Sequence, residues 1–354
     1  MRTIRDYSLT GPENLRARER GLAGATWYAC PIPRKQMKEL MQRRDGPAIR
    51  DTLIWLTALV ATGILGCLTW GTWWAVPVFA VYGVLYGAAS DSRWHEAGHG
   101  TAFKTRWMND VVYQLGSFGV MRQPTLWRWS HARHHTDTII VGRDREIALP
   151  KPPDLWGIFL SFFNLRQGPA ELASVFRHAM GTISPEDRDY IPESEWPKVI
   201  FEARVWVAIY AATIIAALWM WSFLPLMLIG LPSFYGAWLH YFFGLTQHAG
   251  LAEDVLDHRL NSRTVYMNPI FRFIYSNMNY HVEHHMFPMV PYHALPKLHE
   301  AMKADCPPPY PSCWAAYKEI VPAILRQVRE PTWFVQRQLP PGARPSPAFA
   351  VAAE

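Results

Sequence analysis

Between Thr52 and Ser90, and again between Val205 and Ala252, the chain contains no Asp, Glu, Lys or Arg. Charge-free runs of this length exclude the ordinary surface helix, which sets a charged face against an apolar stripe. A bilayer span takes about 20 apolar residues, so each run has room for two. Each also carries a break near its middle, at Gly71 and Thr72 in the first and from Ser222 to Pro225 in the second. Cysteine is scarce. Cys30, Cys67, Cys306 and Cys313 show no disulfide-framework or iron–sulfur spacing and read as packing and loop residues of a reducing compartment. The Arg-rich first residues lack the apolar core and small-residue cleavage site of a secretory signal. No flavin, haem or iron–sulfur module is visible, no internal repeat is found, and no nucleic-acid partner is expected.

The charge that is present is segregated. Of the 35 Lys and Arg, 11 precede Thr52, 14 lie between Asp91 and Arg204, and 10 follow Ala252. By the positive-inside bias, both termini and the central segment are cytoplasmic and the hairpin tips face the other side. The 17 Trp suit membrane interfaces. The expected fold is an all-α integral membrane protein with four transmembrane helices. They form two hairpins, about 52–90 and 205–245, under a cytoplasmic helical cap made of 91–204 and 250–302. Residues 1–32 read as a mobile basic N-terminus, Pro33 to Arg44 as a basic amphipathic helix leading into the first hairpin, and 33–302 as one membrane domain. Residues 303–354 read as a C-terminal extension with a disordered, Pro- and Ala-rich end from Leu339. The apolar stretches Val111 to Val120 and Trp156 to Leu165 are too short to span. The net charge of +6 then belongs to one membrane face, where it attracts anionic headgroups or an acidic protein.

Eight of the 14 histidines fall into three groups: His95 and His99; His131, His134 and His135; His281, His284 and His285. Helical neighbours three and four residues apart share a face, so each group aims its imidazoles in one direction. The topology places all three groups on the cytoplasmic side. Eight imidazoles exceed the four ligands of tetrahedral zinc and the six of an octahedral ion, so two metals are the economical reading. Imidazole suits iron, copper, nickel and zinc alike, and the ligand type leaves the metal open. His178, His258, His293 and His299 lack cluster partners and read as surface or packing residues.

The boxes HEAGH (95–99), HARHH (131–135) and HVEHH (281–285), with WRWSHARHHTDT, the GRD at 142–144 and NYHVEHHMFP, resemble the membrane-bound fatty acid desaturase and hydroxylase family. The resemblance runs from about Pro33 to Met302. It implies a non-haem centre of two iron ions, with O2 as co-substrate and electrons from an external ferredoxin, rubredoxin or cytochrome. It also implies a further ligand near the cytoplasmic end of the fourth span, where His248 stands in GLTQHAGL. That gives nine candidate ligands. His240, two helical turns earlier, is placed in a substrate pocket instead. Glu96, Asp137, Asp144, Glu146, Asn277, Asn279 and Glu283 are candidates to orient the ligating rings through their second nitrogen.

A lipid-like substrate entering from the bilayer makes acyl desaturation the first expectation, with hydroxylation of an alkyl or small-molecule substrate as the alternative. The expected location is a bacterial inner membrane. HEAGH also satisfies the His-Glu-x-x-His pattern of an intramembrane zinc protease. That reading leaves six clustered histidines unexplained and wants an Asp inside a span, and neither charge-free run has one. A metal transporter would want polar ligands within the spans, where only His240 qualifies.

Overall fold

The computed structural model describes residues 5–346, and among them every regular element is helical, save two isolated β-bridges, Thr264 with Tyr280 and Val265 with Tyr310. Two helical runs are long and apolar enough to cross a bilayer, Arg34–Thr69 and Glu193–Trp219. In the first, the short basic helix Arg34–Leu40 leads into the apolar helix Asp45–Thr69. The chain then turns at Gly71 (φ +83°), and the second run ends where Trp221 takes φ +47°. Both turns fall at the breaks expected from sequence. Trp73 is 91% exposed and Trp221 96%, so the hairpin tips carry bare indoles.

The returning legs are built differently. From Ala75 the chain stays helical as far as Gly98, but a π-helical turn, Val84–Ala88, separates the α-helices Ala75–Gly83 and Ala89–Gly98. The other return is broken into Leu224–Leu228, Pro232–Tyr235 and Trp238–His248. The two legs touch backbone to backbone. A Cβ at Gly236 would stand 1.9 Å from the Gly83 carbonyl oxygen, and one at Gly87 would stand 3.1 Å from the Gly236 carbonyl carbon. Only glycine permits such an approach, and π turns and breaks of this kind gather beside functional sites. Two continuous apolar helices are thus each followed by an interrupted partner.

The cap is stacked on these legs. Helix Arg106–Gly119 lies against Ala89–Gly98 so closely that a Cβ at Gly116 would meet the Trp94 backbone nitrogen at 2.7 Å. Pro124–Thr136 and His281–Met286 carry the other two histidine groups, and Leu295–Met302 packs behind the latter. Trp94, Tyr113, Val282, Leu295 and Leu298 form the cap's core. The connection into Trp196–Trp219 contains a short helix, Pro185–Tyr190, whose N-cap Ser184 accepts the Asp187 backbone N–H.

Both ends differ from expectation. From Arg5 onward the N-terminal segment is packed rather than mobile: Leu9, Ala17 and Leu22 are buried, and Arg5 pairs with Glu13 (2.8 Å) and Asp254 (2.6 Å). Helix Cys313–Arg329, placed in the extension by sequence, packs on Trp238–His248, with the Tyr317 hydroxyl donating to the Phe242 carbonyl at 2.7 Å. Residues 339–346 are non-helical but anchored, since the Arg344 backbone N–H donates to Asp305 Oδ1 at 2.8 Å. The remainder of the expected disordered end, 347–354, lies outside the described residues, as does 1–4.

Candidate metal centre

Nine histidines converge from four elements. The helix Ala89–Gly98 brings His95 and, at its C-cap, His99; Pro124–Thr136 brings His131, His134 and His135; His281–Met286 brings His281, His284 and His285; and His248 ends Trp238–His248. The spacings of three and four residues turn each group onto one helix face. The nine divide into two sets. Ligand nitrogens of His95, His99, His131, His135 and His284 lie within 4.8 Å of one another, as do those of His134, His248 and His285. His281 joins the second set, its Nε2 2.9 Å from His248 Nε2 and 3.0 Å from His285 Nε2.

The far sides of the rings are held by oriented acceptors. His134 donates Nδ1–H to Asp144 (2.8 Å), His131 to Glu146 (2.9 Å) and His248 to the Asn261 carbonyl (2.7 Å). The Thr138 hydroxyl donates to the His134 carbonyl at 2.6 Å, leaving its oxygen to accept His285 Nδ1–H at 3.2 Å. With the proton fixed on Nδ1, the lone pair on Nε2 must point inward. Inside, Nε2 meets Nε2: His99 to His131 at 3.1 Å, His131 to His135 at 3.2 Å and His135 to His284 at 3.1 Å. His95 Nε2 is buried without a partner. Lone pairs facing each other in a buried space repel unless a cation lies between them, so the donor set fits metal ions of the imidazole-binding kind, one per set.

Electrostatics agree with this role. Burial, then the neighbouring rings, hold His95, His99, His135, His281, His284 and His285 well below the ordinary imidazole value, which keeps them neutral. Burial alone would raise Glu146, but His131 and His134 beside it drive its carboxyl well below the usual range. His134 is raised: burial opposes it, and the Asp144 carboxylate prevails. Glu96 is pushed up to about 8 by burial; it sits 3.2 Å from His95 Nδ1 and 3.9 Å from His284 Nδ1.

Four of the expected orienting residues do something else. Asp137 pairs with Arg143 at 2.8 Å, Asn277 accepts from Arg272 and donates to the Tyr292 carbonyl, and Asn279 donates to the Val265 carbonyl. Glu283 faces away from the rings, accepting from Thr264 (2.6 Å) and lying 2.5 Å from His299 Nδ1. Each is a neighbour of a ligand in sequence but points off its face. Thr138 and the Asn261 carbonyl take the vacated roles. Thr138 stands four residues after His134, a legible spacing; a backbone carbonyl leaves no sequence signal. His258, expected to be a surface or packing residue, is 2% exposed, with its ring 5.1 Å from that of His285. A cavity of about 400 Å³ opens from His95, His131, His134, His248 and His281 past His240, Gly244 and Leu245.

Fold and site together define an all-helical enzyme class in which apolar helices carry a buried multi-histidine metal site. The zinc protease reading fails on geometry, since both histidines of HEAGH sit in a set of five. The family model for fatty acid desaturases matches residues 71–317, and the chain belongs to that family. It is accordingly a desaturase-like oxidoreductase. It is 25% identical over 290 residues to the Delta(12)-oleate desaturase of Trichosanthes kirilowii, covering 68% of this chain and 75% of that one. It is 24% identical over 288 residues to an endoplasmic reticulum omega-3 fatty acid desaturase of Nicotiana tabacum, covering 73% and 71%. Against a Delta(5) fatty acid desaturase of Caenorhabditis elegans the identity is 25% over 231 residues, 57% of this chain and 51% of the relative.

Proposed function

We propose that this protein is an O2-dependent, two-iron membrane desaturase that introduces a double bond into a fatty acyl or lipid-like chain. The observation that carries the reading is the convergence of nine inward-facing histidine nitrogens, in sets of five and four, beside two long charge-free runs of chain. When bound, the irons supply the oxidant, made from O2 and externally delivered electrons, that takes hydrogen from an unactivated C–H bond. The protein's own residues do the rest. Asp144, Glu146, Thr138 and the Asn261 carbonyl fix the ligating rings, and the cavity past His240 and Gly244 receives the chain. The bare tip tryptophans, the interrupted second and fourth legs, and the clustering of Lys and Arg away from the tips support a four-span topology with the histidine cap and both termini cytoplasmic. The names of the curated relatives support an acyl substrate.

The test is expression with a reductase system followed by mass spectrometry of lipid extracts, against His134→Ala as control. Products lighter by two hydrogens support desaturation. Products heavier by one oxygen would indicate hydroxylation, and unchanged lipids would remove the acyl-chain substrate.

A further inference from the structure

His240 lines the cavity and is bonded to nothing. Its Nδ1 is buried without a partner, and among the described residues its Nε2 makes no hydrogen bond either. Buried polar groups are nearly always satisfied, so an imidazole left open on a cavity wall marks a place that a ligand completes. The charges that act on it are those of Asp91 and Arg122, which line the same cavity. Asp91 stands on Ala89–Gly98 one turn before His95, about 6 Å along the axis. Arg122 donates Nη1–H to Asp91 Oδ1 at 2.5 Å, its one side-chain hydrogen bond among the described residues, and its guanidinium lies 4.3 Å from the Trp94 ring and 4.8 Å from that of Trp127. The Trp94 ring is in turn 5.2 Å from that of His131, so the cluster adjoins the metal centre. Asp91 and Arg122 together are neutral. What the cluster offers is therefore not charge but open hydrogen bonds: Nε–H and Nη2–H of Arg122 and the ring of His240. Val120, Leu245 and Met278 make the cavity apolar elsewhere, and a bare hydrocarbon lying here would leave all of these donors unsatisfied.

We propose that Arg122 and His240 hold an uncharged oxygen acceptor of the substrate, a carbonyl or hydroxyl oxygen, and thereby select oxygen-bearing chains over plain hydrocarbons. The inference rests on the desaturase reading above for what is done to the bound chain. Asp91 is the positioning residue: it fixes the guanidinium against Trp94 and Trp127 with one N–H and leaves the others for the ligand. The neutrality of the pair suits an uncharged oxygen, which needs donors rather than a counter-ion. Because the cluster is one helical turn from His95, the carbons brought to the centre lie a short way along the chain from that oxygen. A site built to hydrogen-bond one substrate group discriminates against the analogue that lacks it, because its own buried donors are then left unpaired.

The experiment uses full-length, iron-loaded protein and three probes of equal chain length: octadecane, methyl stearate and stearyl alcohol. Two readouts are taken, the rise in Tm that each probe causes, which needs no turnover, and kcat/KM with a reductase system. Wild type is expected to favour methyl stearate or stearyl alcohol over octadecane by about tenfold or more, and whichever of the two wins identifies the oxygen as carbonyl or hydroxyl. His240→Leu gives up no hydrogen bond within the described protein. It should therefore keep the ligand-free Tm and the iron content of wild type, yet lose about tenfold of that preference. Asp91→Asn combined with Arg122→Gln removes the guanidinium without stranding a lone charge and should lose the preference likewise. A His240 that only packs would do the reverse, lowering the ligand-free Tm and leaving the preference intact. Equal response of wild type to all three probes, or an undiminished preference in both variants, overturns the proposal. Probe-induced Tm shifts with the expected preference but no turnover of any probe would instead overturn the desaturase reading and leave the oxygen-binding cluster standing.

Discussion

Asp144 Oδ2 lies 2.8 Å from His134 Nδ1 and also accepts the Ile139 backbone N–H at 2.8 Å. Its second oxygen accepts the Glu146 N–H at 2.8 Å, so one carboxylate ties the turn after the HARHH helix to a ligating ring. Asp144→Asn should therefore lower metal affinity about 10–100-fold, the range seen when such supporting groups are removed. Asp137→Asn is the contrast. Its partner is Arg143, so it should cost about 2 kcal/mol of stability, read as a lower Tm, with metal stoichiometry intact. Equal metal loss in both variants would contradict the assignment.

The division of the histidines into two sets predicts selective loss. His248→Ala removes a ligand from the set of four and should leave about one metal ion per chain where the wild type holds about two. Elemental analysis of the purified variant decides it. Full retention of both metals would exclude His248 as a ligand.

The cavity can be blocked without touching a ligand. A Cβ on Gly244 meets nothing within 4 Å, and Gly244 lines the cavity. Gly244→Trp should then lower kcat/KM for acyl substrates about tenfold or more, with metal content unchanged. Normal turnover in this variant would move the substrate elsewhere.

Stability of the metal-free protein should fall in mild acid. Six imidazoles are held neutral in the folded state by burial and by one another. The unfolded chain takes up those protons near pH ~6.5, and the folded one does not. Stability is therefore present above that pH and lost as pH falls through it. Glu96, raised to about 8, acts in the opposite sense, since its buried neutral form grows costly as pH rises from the unfolded value of 4.5 toward 8. Six rings outnumber one carboxyl, so Tm of chelator-stripped protein should drop between about pH 7.5 and 5.5. A flat profile would mean the rings ionise freely.

The convergence of the clustered histidines was legible in the sequence because residues three and four apart on a helix share a face. The hairpin turns were legible for a similar local reason, at Gly71 and before Pro225. The residues that orient the rings were only half legible. Asp144 and Glu146 lie beyond the end of their helix and reach back by tertiary folding, while Asp137, closer in sequence, points to Arg143. The interrupted return legs were hidden as well, because a charge-free run records burial in an apolar medium but not the Gly83–Gly236 contact that bends it. The packed N-terminus was misjudged because its Arg-rich composition suggests solvation; its partners, Glu253 and Asp254, are far along the chain.

The central claim is that nine histidines hold two metal ions, and elemental analysis of the purified wild-type protein tests it most directly. About two irons per chain, lost together with activity in His134→Ala, is the predicted result. A single zinc per chain, or metal that washes out while activity persists, would contradict it.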